Sequence, residues 1–175
     1  MKNYSILLAT AAVLALSSCG MSNNGAQNST GAANSAATAV VDSTTEKRLF
    51  AKMSVKDTVK VGELIELKFT VYNNADTIQH FCKWHTPFEP LISKYLDVKS
   101  ASGEEVNYKG AMAKRMMPPP ADSYMAVNPK DSLSTTVDLL KGYDINKPAK
   151  YTITYVGQNM SGLIVKDSIS FIYAK

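Results

Sequence analysis

The chain has 175 residues, with 19 Lys and Arg against 15 Asp and Glu, a formal net charge of +4 and a sequence pI near 8.9. Hydrophobic residues make up 45% and aromatic residues 9%, which suits one folded core and excludes a chain that is disordered throughout. The charges are interspersed: Lys83, Lys94, Lys99, Lys109, Lys114 and Arg115 run among Asp97, Glu104, Glu105, Asp122 and Asp131. This excludes the clustered basic face with interleaved aromatics that nucleic-acid binding requires.

The first element is a leader. Lys2 precedes an apolar run from Ile6 to Leu16, shorter than the roughly 20 residues a helix needs to cross a bilayer. A basic start, a short apolar centre and small residues before a cut site make a signal peptide over 1–18. The ending Leu16-Ser17-Ser18-Cys19 resembles the lipobox of bacterial lipoproteins, in which the Cys is acylated and becomes the new N-terminus. The resemblance implies lipidation at Cys19 and a membrane partner held through that lipid. Two or more acyl chains, each contributing about 0.8 kcal/mol per buried CH₂, hold a protein durably. The expected place is the cell envelope, at the outer membrane and facing the periplasm, with surface exposure as the alternative.

Residues 19–46 comprise the lipidated Cys and a run rich in Asn, Ser, Ala, Thr and Gly, without aromatics. Such a run cannot bury enough apolar surface to offset its chain entropy and reads as a flexible tether, spanning on the order of 28 Å. The remaining 47–175 form one domain. With Cys19 on lipid, Cys82 is left alone, and its apolar neighbours Phe81 and Trp84 favour burial as a small hydrophobe.

From residue 48 the pattern has period two. Leu49, Ala51 and Met53 alternate with polar neighbours, and Val59-Lys60-Val61-Gly62-Glu63 leads into the clearest strand. There Ile65, Leu67, Phe69 and Val71 share one face and Glu66, Lys68 and Thr70 the other, before the turn Asn73-Asn74-Ala75-Asp76. That is a half-buried strand of an antiparallel sheet. Further strands are expected over 77–84, 96–99, 132–139, 150–156 and 165–173, the last with Asp167 as an acidic exception. Val106 and Tyr108 follow the turn Ser102-Gly103-Glu104. The segment 87–94 carries two prolines and forms a turn at most, and Pro118-Pro119-Pro120 belongs in a loop. Seven to nine short strands without a long helical period indicate an all-β fold, an immunoglobulin-like antiparallel β-sandwich. Tyr143 and Tyr151 flank the turn before a late strand, an arrangement similar to the tyrosine corner of such sandwiches.

A more specific resemblance rests on ordered motifs. These are Lys83-Trp84-His85-Thr86-Pro87-Phe88-Glu89, then Val106-Asn107-Tyr108-Lys109-Gly110, then Lys114-Arg115 with Pro118 and Asp122-Ser123-Tyr124. Leu139-Leu140-Lys141-Gly142-Tyr143-Asp144-Ile145 and Pro148-Ala149-Lys150-Tyr151-Thr152-Ile153-Thr154-Tyr155 complete the series. Over 48–173 the chain resembles the β-sandwich domain that precedes the catalytic domain in bacterial relatives of deuterolysin and peptidyl-Lys metalloendopeptidase. Enzymes of that family hold zinc with two His of a His-Glu-x-x-His helix and a downstream Asp, the Glu serving as general base. Here the only histidines are His80 and His85, neither beside a Glu, so no catalytic residue carries over and the chain reads as a non-enzyme.

Other chemistry is thinly represented. His80, Cys82 and His85 offer three ligand types without a fourth, so no metal site and no cofactor is expected. There is no Gly-x-Ser-x-Gly turn. The better candidate is a binding surface for a protein or peptide of the envelope. Trp84, His85 and Phe88 set two aromatics beside a proline, and Lys114, Arg115, Met116, Met117 and Tyr124 form a loop with adaptable methionines. Packing roles compete with this at each position: a lone Trp is commonly core, and Arg115 could brace the loop through Asp122. The readings that compete with a protease-associated binding module are a protease inhibitor that offers the 114–120 loop, a scaffolding lipoprotein pairing through sheet edges, and a cryptic hydrolase.

Overall fold

The computed structural model describes residues 49–175. The leader, Cys19 and the tether lie outside the described residues.

Nine strands follow in order: β1 (Leu49–Ser54), β2 (Thr58–Lys60), β3 (Glu66–Asn73), β4 (Gln79–Cys82), β5 (Leu96–Ser100), β6 (Tyr124–Val127), β7 (Ser132–Asp138), β8 (Ala149–Tyr155) and β9 (Ile169–Ala174). One sheet has the order β1-β3-β7 and a second β2-β9-β8-β5. All pairings in them are antiparallel except β2 with β9, where Thr58 lies opposite Ile172. The first strand is therefore divided between the two sheets, as in the immunoglobulin-like sandwich the alternation predicts.

The alternation explains the packing. Ile65, Leu67, Phe69 and Val71 are completely buried and meet Leu96, Val98, Ile153 and Phe171 of the other sheet in one core. The Phe69 and Tyr155 ring centroids lie 5.4 Å apart across it. Each such side chain contributes roughly 1.5–3 kcal/mol by leaving water. Thr70, assigned to the polar face, is also buried, because β3 is the central strand; its hydroxyl hydrogen-bonds Ser134 on β7 at 2.8 Å.

Two tyrosines secure the approach to β8. The Tyr151 hydroxyl donates to the Lys147 carbonyl at 2.7 Å, four residues upstream, which is the tyrosine-corner bond. Tyr143 reaches across instead, donating to the Leu96 carbonyl at 2.9 Å and accepting from the Leu96 N–H. Burial raises the pKa of both phenols above the ordinary value, so both stay neutral.

Three expectations change. The strand expected over 165–173 begins only at Ile169. The segment before it crosses to the other sheet, where the Ile164 carbonyl accepts from Ala51 N–H at 2.9 Å, and the acidic exception Asp167 is simply exposed outside the strand. The strand expected over 77–84 is trimmed to β4. Its partner β6 has no periodic signature, since only four residues separate Ser123 from Asn128.

Candidate functional site

Two long insertions build a cap on the sandwich. The first, 74–95, joins β3 to β5 and contains β4; the second, 101–131, joins β5 to β7 and contains β6. Their strands β4 and β6 pair with each other rather than with either main sheet, with Phe81 opposite Met125 and Cys82 opposite Tyr124. The pairing extends into the loops: Lys83 N–H donates to the Ser123 carbonyl at 2.8 Å and its ammonium to the Asp122 carbonyl at 2.9 Å. Asn73 ties the cap to the sandwich, its amide nitrogen donating to the carbonyls of Thr77, Val127 and Asn128 while its oxygen accepts from Ala75 N–H.

After β4 the chain turns sharply. The Thr86 hydroxyl donates to the Lys83 carbonyl at 2.6 Å and accepts from Phe88 N–H, the local side-chain-to-backbone bonding that favours turns. His85 adopts a left-handed backbone with φ of 58°. Its carbonyl accepts from the Tyr155 hydroxyl at 3.0 Å, and that hydroxyl also meets Ser161 Oγ at 2.7 Å, in the short helix α1 (Gln158–Ser161). Gly157 is required here: a Cβ on it would stand 2.3 Å from the His85 oxygen.

The turn positions Glu89, Ser93 and Trp84 around Arg115 of the second insertion. Ala113 N–H donates to the Ile92 carbonyl at 2.8 Å and brings the loop over. The Arg115 guanidinium carbon then lies 4.6 Å from the Trp84 ring centroid, a cation–π distance. Arg115 Nη2 donates to both oxygens of Glu89, 2.5 Å to Oε2, with Ser93 Oγ at 3.5 Å. The Arg115 and Glu89 side chains are only 16% and 6% exposed. Arg115 Nε is buried without a hydrogen-bond partner among the described residues.

The electrostatics follow from burial. Desolvation raises the Glu89 pKa above the ordinary carboxylate value despite the opposing pull of Arg115. Burial, with Arg115 second, lowers the His85 pKa from the imidazole value. With both carboxylate oxygens held by a guanidinium that never deprotonates, Glu89 acts as a strut for the loop.

The sequence-derived surface residues thus divide. Trp84 is buried beneath Arg115, and Phe88 packs edge-on to Phe69 and Phe81. Arg115 braces the loop, but its partner is Glu89 and not Asp122, whose carbonyl is engaged by Lys83. Lys114 and Tyr124 are exposed, His85 is half-buried, and Met112, Met116 and Met117 are 69%, 86% and 66% exposed. His80 is exposed while Cys82 is buried, so the two do not converge. Among the described residues no group of three or more His, Cys, Asp or Glu could hold a metal ion. Glu89 is the member that sequence reasoning missed. An acid between Phe88 and Pro90 in an apolar block is the signal that asks for a cationic partner.

The chain is similar in part to several known proteins. A probable neutral protease 2 homolog of Arthroderma otae is 24% identical over 92 residues, which are 52% of this chain and 25% of that protein. A neutral protease 2 homolog of Arthroderma gypseum is likewise 24% identical over 92 residues, 24% of its length. The chain thus spans about a quarter of the protease homologs it matches. Among solved structures it is similar to the CARDB domain of a Pyrococcus furiosus protein in complex with di-metal ions, at 14% identity and a TM-score of 0.31, covering 72% of this chain and 85% of that one. The model of the immunoglobulin-like domain family matches residues 52–165, well over half of the chain, and the chain belongs to that family.

Proposed function

We propose that this chain is a non-catalytic, lipid-anchored immunoglobulin-like module of the bacterial envelope that contacts a protein or peptide through the 112–117 loop. The observation that carries the reading is the division of labour at Arg115. Its charge is spent inside the cap on Glu89 and Trp84, while Met112, Met116 and Met117 on the same loop are held in water. A loop fixed by a buried ion pair yet presenting flexible thioethers suits an adaptable apolar contact. The partial likeness to neutral protease 2 homologs supports a protease or its substrate as the partner, with inhibition of a protease as a special case. Cys19, following the lipobox-like sequence, supports the anchor.

The test is affinity capture from a native envelope extract with the full chain as bait, beside a variant carrying Met116→Ser and Met117→Ser. These substitutions leave Arg115 in place, so loss of a partner reports on the surface and not on folding. Equal recovery by both baits overturns the loop assignment. Anchoring is tested separately, by mass spectrometry of the chain and its Cys19→Ser variant for the acyl modification.

A further inference from the structure

We infer that the free edge of β7 is a self-pairing surface, through which two copies of this chain join their β1-β3-β7 sheets into one continuous antiparallel sheet. The inference is independent of the loop reading, since β7 lies on the sandwich and not on the cap.

The direction of the β7 backbone groups follows from two hydrogen bonds that flank its pairing with β3. Leu139 N–H donates to the Ile65 carbonyl and Asn73 N–H to the Asp131 carbonyl, each at 2.9 Å. Both pairs lie in the register that places Glu66 opposite Asp138 and Tyr72 opposite Ser132. Hydrogen-bonded pairs alternate along an antiparallel ladder. Leu133, Thr135 and Val137 therefore bond inward to β3, and Ser132, Ser134, Thr136 and Asp138 direct their N–H and C=O groups outward. Of these, only the Ser132 N–H has a partner among the described residues, the Asp131 carboxylate at 2.7 Å.

The edge also lacks the devices that keep sheet edges apart. Natural edge strands are commonly short or carry Lys, Pro or a bulge. β7 has seven residues, Ser132-Leu133-Ser134-Thr135-Thr136-Val137-Asp138, with no Pro, no Lys or Arg and a regular pairing with β3 throughout. Its inward side chains Leu133 and Val137 are only half-buried, because one flank has no neighbouring strand among the described residues.

The strand is complementary to itself. Antiparallel pairing about Thr135 places Ser134 opposite Thr136 and Ser132 opposite Asp138, so each outward backbone group meets another. Leu133 then faces Val137, and the single charge on the strand, Asp138, faces a serine and not its own copy. Like charges directly opposite would oppose pairing, whereas apolar β-branched pairs favour it. A two-fold axis through Thr135 makes the contact isologous and closed, ending at a dimer.

The experiment uses the full chain in detergent. Sedimentation should show a concentration-dependent dimer that Thr136→Pro abolishes, since proline removes an outward N–H without touching the β3 ladder. Thr136→Lys provides a second variant if the proline chain folds poorly, and the thermal transition of each checks folding. Register is read by mild oxidation. Thr135→Cys puts two thiols across the axis in a non-hydrogen-bonded pair, the closest cross-strand spacing. Ser132→Cys puts them roughly 20 Å apart along the strands. Disulfide-linked dimer should accumulate about tenfold faster for Thr135→Cys than for Ser132→Cys, as docking raises the effective thiol concentration. The parent chain, with Cys19 and Cys82, sets the background. A monomeric parent with equal crosslinking at both positions overturns the proposal. So does a monomer that instead takes up an extended foreign peptide in a Thr136→Pro-sensitive way, which would assign the edge to another chain.

Discussion

The sandwich and its cap are held together by different physics. Between the sheets, Ile65, Leu67, Phe69, Val71, Leu96 and Ile153 are fully buried, and their attraction is non-directional and proportional to area. In the cap, one asparagine amide, one threonine hydroxyl, one tyrosine hydroxyl and one guanidinium hold several segments at once. A core of the first kind accepts interchange of apolar residues at modest cost. A scaffold of the second kind depends on each partner, because a buried polar group left alone carries its full desolvation penalty.

The sandwich side is broken most strongly at its centre. Phe69→Ala should lower stability by about 3–5 kcal/mol, whereas Ile153→Val should cost about 0.5–1.5 kcal/mol; equilibrium denaturation of both variants measures the ratio. The cap side is broken by charge. Arg115→Met leaves the Glu89 carboxylate buried without its cation and should cost about 2–3 kcal/mol, somewhat below the figure for a fully enclosed pair. Adding Glu89→Met should restore most of that loss, since replacing both partners by apolar groups is often neutral. A double variant as unstable as the sum of the two singles would show that the pair is not the strut, and the contrast between the regions would fail.

The same contrast governs what the sequence makes legible. β3 can be read from its alternation because burial on one face imposes period two, and the tyrosine-corner bond of Tyr151 follows from its place near the start of β8. β6 escapes, because a four-residue strand between Ser123 and Asn128 leaves no period to see. The stretch 165–168 misleads for the opposite reason: its one apolar residue, Val165, packs against the core from a crossing between sheets and not from a ladder. Arg115 shows the limit most clearly. Its bracing role is legible from a lone arginine in an apolar loop, but the partner, 26 residues away across two insertions, is set by tertiary placement that periodicity does not encode.

A subtler probe is acid. The His85 pKa is lowered from 6.5 by burial and by Arg115, so the fold favours the neutral ring. Its contribution is fully present above pH 6.5 and is lost as pH falls through the lower folded-state value. Glu89 acts with the opposite sign. Its pKa is raised from 4.5, so its contribution is fully present below 4.5 and is lost as pH rises through the folded value. His85→Asn, which keeps a residue tolerant of the left-handed backbone, should flatten the decline in stability below pH 6.5 and leave the Glu89 trend in place. An unchanged pH profile would remove His85 from the electrostatics of the cap.

The smallest stability effect is expected where the proposed functional effect is largest. Met116→Ser with Met117→Ser changes two side chains that lie in water, outside both the sandwich core and the network around Arg115. Surface changes of this kind usually stay within about 0.5 kcal/mol, so the unfolding midpoint should hardly move. Partner capture should nevertheless fall, because methionine contributes to a contact by being desolvated there and serine cannot replace it. Arg115→Met makes the informative contrast: it keeps both exposed methionines while releasing the loop that holds them. If partner capture falls with the methionine pair and also with Arg115→Met, the loop acts as a rigidly presented surface. If only the methionine pair matters, the thioethers act without the brace, and the ion pair serves the fold alone.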